Sequence, residues 1–225
     1  MTDREEISTV RVRPLRRDAE RNRQRILAAA AEVFTEHGLE VSLDEVARRA
    51  GVGVGTIYRR FADKDELVET LFTDRIDEIA AMARRAGELP DPWTGLVTFL
   101  EQWVCLLAGD VGLRQLLMFA TYGRDRISYA RHSFAPLVGE LVDRAKASGQ
   151  ARADLAPTDI PFIVLMLSTA AEYAHYSRPE IWRRYLNLMI DGMCASRPGT
   201  RALGVPALVA EEMESTMRQH SSRRR

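Results

Sequence analysis

Chain breakers divide this sequence at intervals that helices fill and strands do not. Gly38, Gly51, Gly87 with Pro90, Gly109, Gly123, Gly149, Pro157 and Pro179 separate segments in which apolar residues recur every three or four positions. The first segment is typical. Ile26, Leu27, Ala30, Val33 and Phe34 line one face of a helix, and Gly38 ends it in the position where a left-handed residue is needed. No segment alternates as a half-buried strand does, no repeat is visible and no heptad is sustained. The pattern predicts helices over 18–37, 42–50, 54–61, 63–86, 91–108, 110–123, 131–148, 158–176 and 180–195, with a further short helix at 206–217. The fold class is all-α with about nine helices: an N-terminal three-helix helix-turn-helix domain and a helical C-terminal domain. Residues 1–17 form a flexible basic arm, 18–72 the first domain, 73–196 the second, and 197–225 a flexible tail.

The segment 42–61 is the most specific. Ser42-x-x-Glu45 is a capping box, and Val41 with Val46 forms a hydrophobic staple. Ala47 is small where two helices must pass closely. Gly51 follows at the turn, where positive φ costs glycine least. Ile57 can pack back between the two helices, with Leu43, Val46, Ala50 and Val52 as the remaining core. This is what a tight helix-turn-helix requires. Two short helices joined by glycine also occur in ordinary helical cores, so the spacing alone is moderately specific.

The match extends further. Gly51-Val52-Gly53-Val54-Gly55-Thr56-Ile57-Tyr58-Arg59-Arg60-Phe61 runs into Asp63-Lys64-Asp65-Glu66-Leu67, and Ile26-Leu27-x-Ala29-Ala30-x-x-x-Phe34-x-x-x-Gly38 precedes it. Over residues 21–72 the chain resembles the DNA-binding domain of TetR-family transcriptional regulators. The resemblance implies that the third helix enters the major groove. Gly53, Val54, Gly55 and Thr56 then lie near base edges, Tyr58 meets a backbone phosphate, and Arg59 reads guanine or holds phosphate. Ser42 and Lys64, at the starts of the second and fourth helices, clamp phosphates. Arg60, Arg48 and Arg49 either add phosphate contacts or are solvated charges. Many relatives carry a serine and a polar residue where this chain has Gly53 and Val54. Hydrogen-bonded readout therefore rests on Thr56, Arg59 and the backbone. Arg11, Arg13, Arg16 and Arg17 of the arm either enter an adjacent minor groove or belong to a solubilising tail.

Composition adds limits. Net charge is zero, with 32 basic and 32 acidic residues, so nucleic-acid binding would depend on local patches and not on a global field. Only Lys64 and Lys146 are lysines among the 32 basic residues, a bias of genome composition more than of function. The N-terminus has no apolar signal region, and the longest apolar stretch, near Pro161–Leu167, is too short to span a bilayer. A cytoplasmic protein without membrane association is expected. Cys105 and Cys194 lack metal-type spacing and read as reduced, buried small hydrophobes. The four histidines are scattered, and neither a metal site nor a cofactor is expected.

The resemblance further implies a C-terminal region that binds a small, largely apolar effector and forms a homodimer. Pocket candidates are Trp103, Phe119, Tyr122, Phe162, Met166, Glu172 and Tyr173, with Gln102, Arg114, His132 and His175 as further polar groups. At helical spacing such aromatics are more often plain core. Ser168, Glu172 and His175 form a polar stripe on an otherwise apolar helix, facing a pocket, a dimer seam or solvent. The last two long helices are the dimer candidates, through Ile163, Leu167, Leu186, Met189, Ile190 and Met193. The expected partners are thus a near-palindromic double-stranded DNA operator, an effector and a second copy.

The leading function is a repressor released from its operator when an effector displaces the fourth helix. One alternative is a helix-turn-helix activator or DNA binder without effector. The other, an enzyme on a helical scaffold, has no nucleophile elbow, P-loop, HExxH or CxxC to support it.

Overall fold

The computed structural model describes residues 12–119, 124–174, 176–195, 201–213 and 215–216. They form nine helices in the order α1 (Val12–His37), α2 (Leu43–Ala50), α3 (Val54–Tyr58), α4 (Lys64–Gly87), α5 (Pro92–Gly109), α6 (Val111–Phe119), α7 (Arg124–Ala147), α8 (Asp159–Tyr173) and α9 (Ile181–Met193). Among the described residues there is no strand, only an isolated bridge between Ala151 and Cys194. Residues 210–213 form a helical turn inside the span expected at 206–217.

The helix starts are built from local chemistry. Ser42 Oγ accepts the Glu45 N–H at 3.3 Å, Asp63 Oδ1 accepts the Glu66 N–H at 2.8 Å, and Asp91 Oδ2 accepts the Thr94 N–H at 2.9 Å. Each cap satisfies one backbone donor that a helix leaves unpaired, a contribution of about 1 kcal/mol. Only half of the expected capping box at Ser42 forms, because the Glu45 carboxylate goes to Arg48. Thr158 stands at the N-cap of α8 but makes no side-chain cap bond, and its hydroxyl is buried without a partner.

Two helix starts differ most from the sequence reading, while α3 and α8 each end three residues early, at Tyr58 and Tyr173. Helix α1 begins at Val12 and not Asp18, so the second part of the expected arm is helical; residues 1–11, including Arg11, lie outside the described residues. Pro14 falls in the first turn of α1, where its missing N–H costs nothing. Helix α7 likewise starts at Arg124 instead of 131 and contains Pro136.

One core runs through both domains. Ile26, Phe34, Val46, Ile57 and Leu67 belong to the same buried cluster as Phe99, Trp103, Val142 and Val164. Helix α4 packs most extensively against α7, and α5 lies against α4, α7 and α8. Arg144 of α7 donates to the carbonyl oxygens of Gly87 and of Leu89, tying down the end of α4. Helix α6 turns sharply from α5, at 116°, and returns to α1. There Gly112 sits so close that a Cβ would lie 2.9 Å from the Phe34 oxygen. No single described helix is long and apolar enough to cross a membrane. Cys105 is exposed and Cys194 partly so, and neither is the buried hydrophobe expected. Cys105 points outward because it lies opposite the α5 face that carries Phe99, Trp103 and Leu107 into the core.

Candidate nucleic-acid interface

The turn between α2 and α3 is fixed by its glycine. Gly51 adopts φ 64° and its N–H bonds the Arg48 oxygen at 3.2 Å, while the Val52 N–H bonds the Ala47 oxygen at 3.0 Å. These two bonds satisfy the carbonyls that end α2. Arg25 of α1 donates to the Ala50 oxygen at 2.8 Å and holds the same turn from behind. Ala47 and Ile57 are buried, so the helix pair closes on the small and apolar residues the sequence placed there.

The opposite side of α3 is open. Nothing lies within 4 Å of the Cβ that Gly53 or Gly55 would carry, and Tyr58, Arg59 and Arg60 are exposed. Val54 is half-buried and packs against the core cluster, which leaves only part of its side chain to face a groove. Thr56 and Arg59 are joined: Arg59 Nη2 donates to Thr56 Oγ1 at 3.0 Å. They present one composite edge with both a donor and an acceptor. Tyr58 is 56% exposed at the last position of α3.

The flanking cations divide into two groups. Arg49 bonds Glu32 at 3.1 Å and Glu36 at 3.3 Å, and Arg48 bonds Glu45. These arginines brace α2 against α1 and its own first turn. Lys64 is half-buried; its Nζ donates to the Leu39 oxygen and lies 6.0 Å from the centroid of the Phe34 ring. Burial pushes its ammonium below the ordinary lysine value. Lys64 therefore holds the α1–α2 turn in place, a structural task the sequence pattern did not reveal. Ser42 is exposed, with its Oγ already engaged by Glu45 N.

A second bond fixes that same turn. Gln115 Oε1 of α6 accepts the Leu39 N–H at 2.6 Å, and Gly38, at φ 77°, lies against the Gln115 amide so closely that a Cβ would clash. Gln115 escaped sequence reasoning because its partner is 76 residues away.

The C-terminal candidates are rearranged. Of the expected pocket residues, Trp103 is a fully buried core side chain, packed on Phe99 at 5.3 Å and on Phe134 at 5.5 Å. Phe162 is only half-buried, Met166 is 49% exposed and Tyr173 88% exposed. These three do not join Trp103 around a common interior space. Tyr122 and His175 lie outside the described residues, and Phe119 ends α6. Of the expected seam residues, Ile163, Leu167, Leu186 and Met193 are buried within the chain itself, while Met189 and Ile190 are half-buried against the core. On α8 the seam candidates Ile163 and Leu167 thus lie on the buried side and the pocket candidates Met166, Glu172 and Tyr173 on the exposed side, with Phe162 between them. Continuous apolarity around the helix hides which side meets the core. The polar stripe does converge with α6: Glu172 Oε2 meets Arg114 Nη2 at 3.1 Å, and Ser168 is buried with its hydroxyl on the Leu165 oxygen.

Comparison with known proteins agrees with this architecture. The family model for bacterial regulatory proteins of the tetR family matches residues 26–71, and that of the SbtR-like transcriptional regulator C-terminal domain matches residues 91–195. An HTH-type transcriptional regulator of Staphylococcus aureus is 46% identical over 54 residues, 24% of this chain and 29% of that protein. The match thus spans less than a third of that relative's length. A TetR transcription regulatory protein from Mycobacterium vanbaalenii is 33% identical, with a TM-score of 0.52 over 80% of this chain and 99% of its own. The regulator FadR from Bacillus subtilis, solved in complex with stearoyl-CoA, shares the fold at 21% identity, with a TM-score of 0.59 over 76% of this chain and 98% of its own. Together with the open α3 and its buttressed turn, these matches assign the chain to the TetR family of bacterial transcriptional regulators, with a DNA-binding helix-turn-helix at its N-terminus.

Proposed function

We propose that the chain is a repressor that binds a near-palindromic operator as a homodimer and leaves it when a small, largely apolar effector binds the C-terminal domain. The observation that carries the DNA half of this reading is the outward face of α3. Gly53 and Gly55 have no neighbours there, Tyr58, Arg59 and Arg60 are exposed, and Thr56 is half-exposed. In this reading the Thr56–Arg59 pair reads base edges, with Gly53, Gly55 and Val54 allowing close approach. Tyr58 and Arg60 meet phosphates, as do Ser42 and Lys64 at the groove margins. Lys64 can serve only if its ammonium turns from the Leu39 oxygen to a phosphate.

The dimer reading is supported by the outer face of α8 and α9. Met166, Tyr173, Tyr185 and Leu188 are exposed large apolar side chains on these two helices. Pairing this face with its copy would form a four-helix bundle and place two α3 helices to read half-sites about 34–36 Å apart. The effector reading is supported by the fold shared with a regulator solved with stearoyl-CoA and by the contacts α6 makes on both the first domain and α8. The competing reading, a DNA binder with no effector, shares every DNA contact.

The docking of α3 is tested by fluorescence anisotropy on a selected operator and on scrambled duplexes. Tyr58→Ala should weaken both by a similar factor, about 1 kcal/mol or more. Thr56→Ala should narrow the gap between operator and scrambled DNA, at about 1–3 kcal/mol for the base it reads. Unchanged affinity in both variants would remove α3 from the groove.

A further inference from the structure

The most unusual side chain outside the DNA-binding region is Arg114. It is an arginine of α6 with only 5% of its side chain exposed. It lies where α6, the end of α5 and the end of α8 converge. Its Nη1 reaches the Leu107 oxygen at a long 3.4 Å, and its Nη2 meets Glu172 at 3.1 Å. The two partners of that ion pair are unequally placed, because the Glu172 side chain is 57% exposed. A carboxylate so placed loses little on returning to water, whereas the arginine cannot be left unpaired without a large penalty. Asp110, the other nearby carboxylate, has its Oδ1 committed to the Leu113 N–H at 2.9 Å. Leu107, whose oxygen it reaches, and its chain neighbour Leu113 are both fully buried and apolar. A second interior donor lies one helical turn before Leu107, where the fully buried Trp103 keeps its Nε1–H without an acceptor.

We propose that Arg114 anchors the anionic head of an amphipathic effector, a carboxylate or phosphate carried on an apolar body. The anion takes the guanidinium from Glu172, and the apolar body occupies the surrounding core, where Trp103 Nε1 offers one further donor. The proposal rests on the ligand-responsive reading above and names the effector class for it. The exchange has a direct path to the DNA-binding domain. Next to Arg114 on the same helix, Gln115 holds the Leu39 N–H, and Gly112 lies against the Phe34 oxygen. Freeing α6 from α8 lets it shift against the turn it braces, so anion and operator favour different positions of one helix.

The test uses the full chain with dodecanoate, dodecyl phosphate and dodecanol, each below micelle-forming concentration, read by thermal shift and by release of bound operator. The wild-type chain should bind at least one of the two anions about tenfold more tightly than the alcohol, the order expected of a charged hydrogen bond, and that anion should release the operator. Whichever anion binds more tightly identifies the headgroup. Glu172→Gln, an exposed and structurally mild change, should tighten anion binding several-fold by removing the competitor. Arg114→Gln should erase the preference for the anion and keep alcohol binding. Equal affinity for anions and alcohol in the wild type, or anion affinity unmoved by Glu172→Gln, would overturn the assignment. Release by the alcohol alone would overturn it while leaving the effector reading intact. If neither these probes nor a broad panel of apolar compounds released the operator, the effector reading itself would fall.

Discussion

Asp110 shows how a single residue can be both a cap and a cost. Its Oδ1 accepts the Leu113 N–H at the head of α6 while the side chain is buried. That burial raises its carboxyl above the ordinary value of 3.8, against the opposing pull of the Leu113 N–H and of Arg75. The folded chain thus holds this proton more tightly than the unfolded chain. The stability it contributes is complete below the ordinary value and is lost as pH rises through the raised one. Asp110→Asn retains an acceptor for Leu113 and has no charge to bury. Its Tm relative to the wild type should therefore climb as pH rises above the ordinary carboxyl value; a difference that stays flat with rising pH would contradict the assignment. Roles of this kind divide by range. Ser42, Gly51 and Ala47 were legible because a cap, a left-handed turn and a close helix crossing are decided within a few residues. Lys64 on Leu39, Arg25 on Ala50 and Arg114 on Glu172 were not, because each pairing joins distant segments and many arginines were available to make it.

At the scale of elements, α6 is the member with obligations on both sides. It meets α1 through Gly112, the α1–α2 turn through Gln115 and α8 through Arg114. Gln115 acts as a positioning residue for the helix-turn-helix, since it touches neither α3 nor the expected groove. Gln115→Ala should lower operator affinity several-fold with helix content unchanged by circular dichroism, and Gln115→Glu, which keeps the acceptor, should restore most of it. Equal affinity of all three chains would mean that the Lys64 bond alone secures the turn. Helix existence was legible for every element from the period of three and four, and breakers at Gly38, Gly51 and Gly149 adopt the positive φ their positions require. The starts of α1 and α7 were less so: proline in the first turn of α1 gives the same local signal as a break, and residues 124–130 at the head of α7 carry too few apolar side chains to show a period.

For the whole molecule, the proposed dimer turns on which face of α8 and α9 would meet another copy. An all-round apolar helix carries no sequence mark for core and seam, and the chain buries Ile163, Leu167, Leu186 and Met193 within itself. The outer residues Met166 and Leu188 are 49% and 58% exposed, so changing them leaves the protomer core intact. The proposed seam predicts that the wild type sediments as a dimer and that a Met166→Asp, Leu188→Asp double variant sediments as a folded monomer. It should also lose operator affinity, since each half-site would then be held alone. A dimer unaffected by both charges would place the seam elsewhere.

The most direct test of the central claim is a selection from random duplex DNA with the purified full chain. A dimeric reader with two α3 helices predicts enrichment of one near-palindrome whose half-sites are centred about 10 base pairs, one helical turn, apart or a multiple of that. Its affinity should fall steeply as salt rises. Recovery of no common sequence, or of a single half-site without its mirror copy, would contradict it.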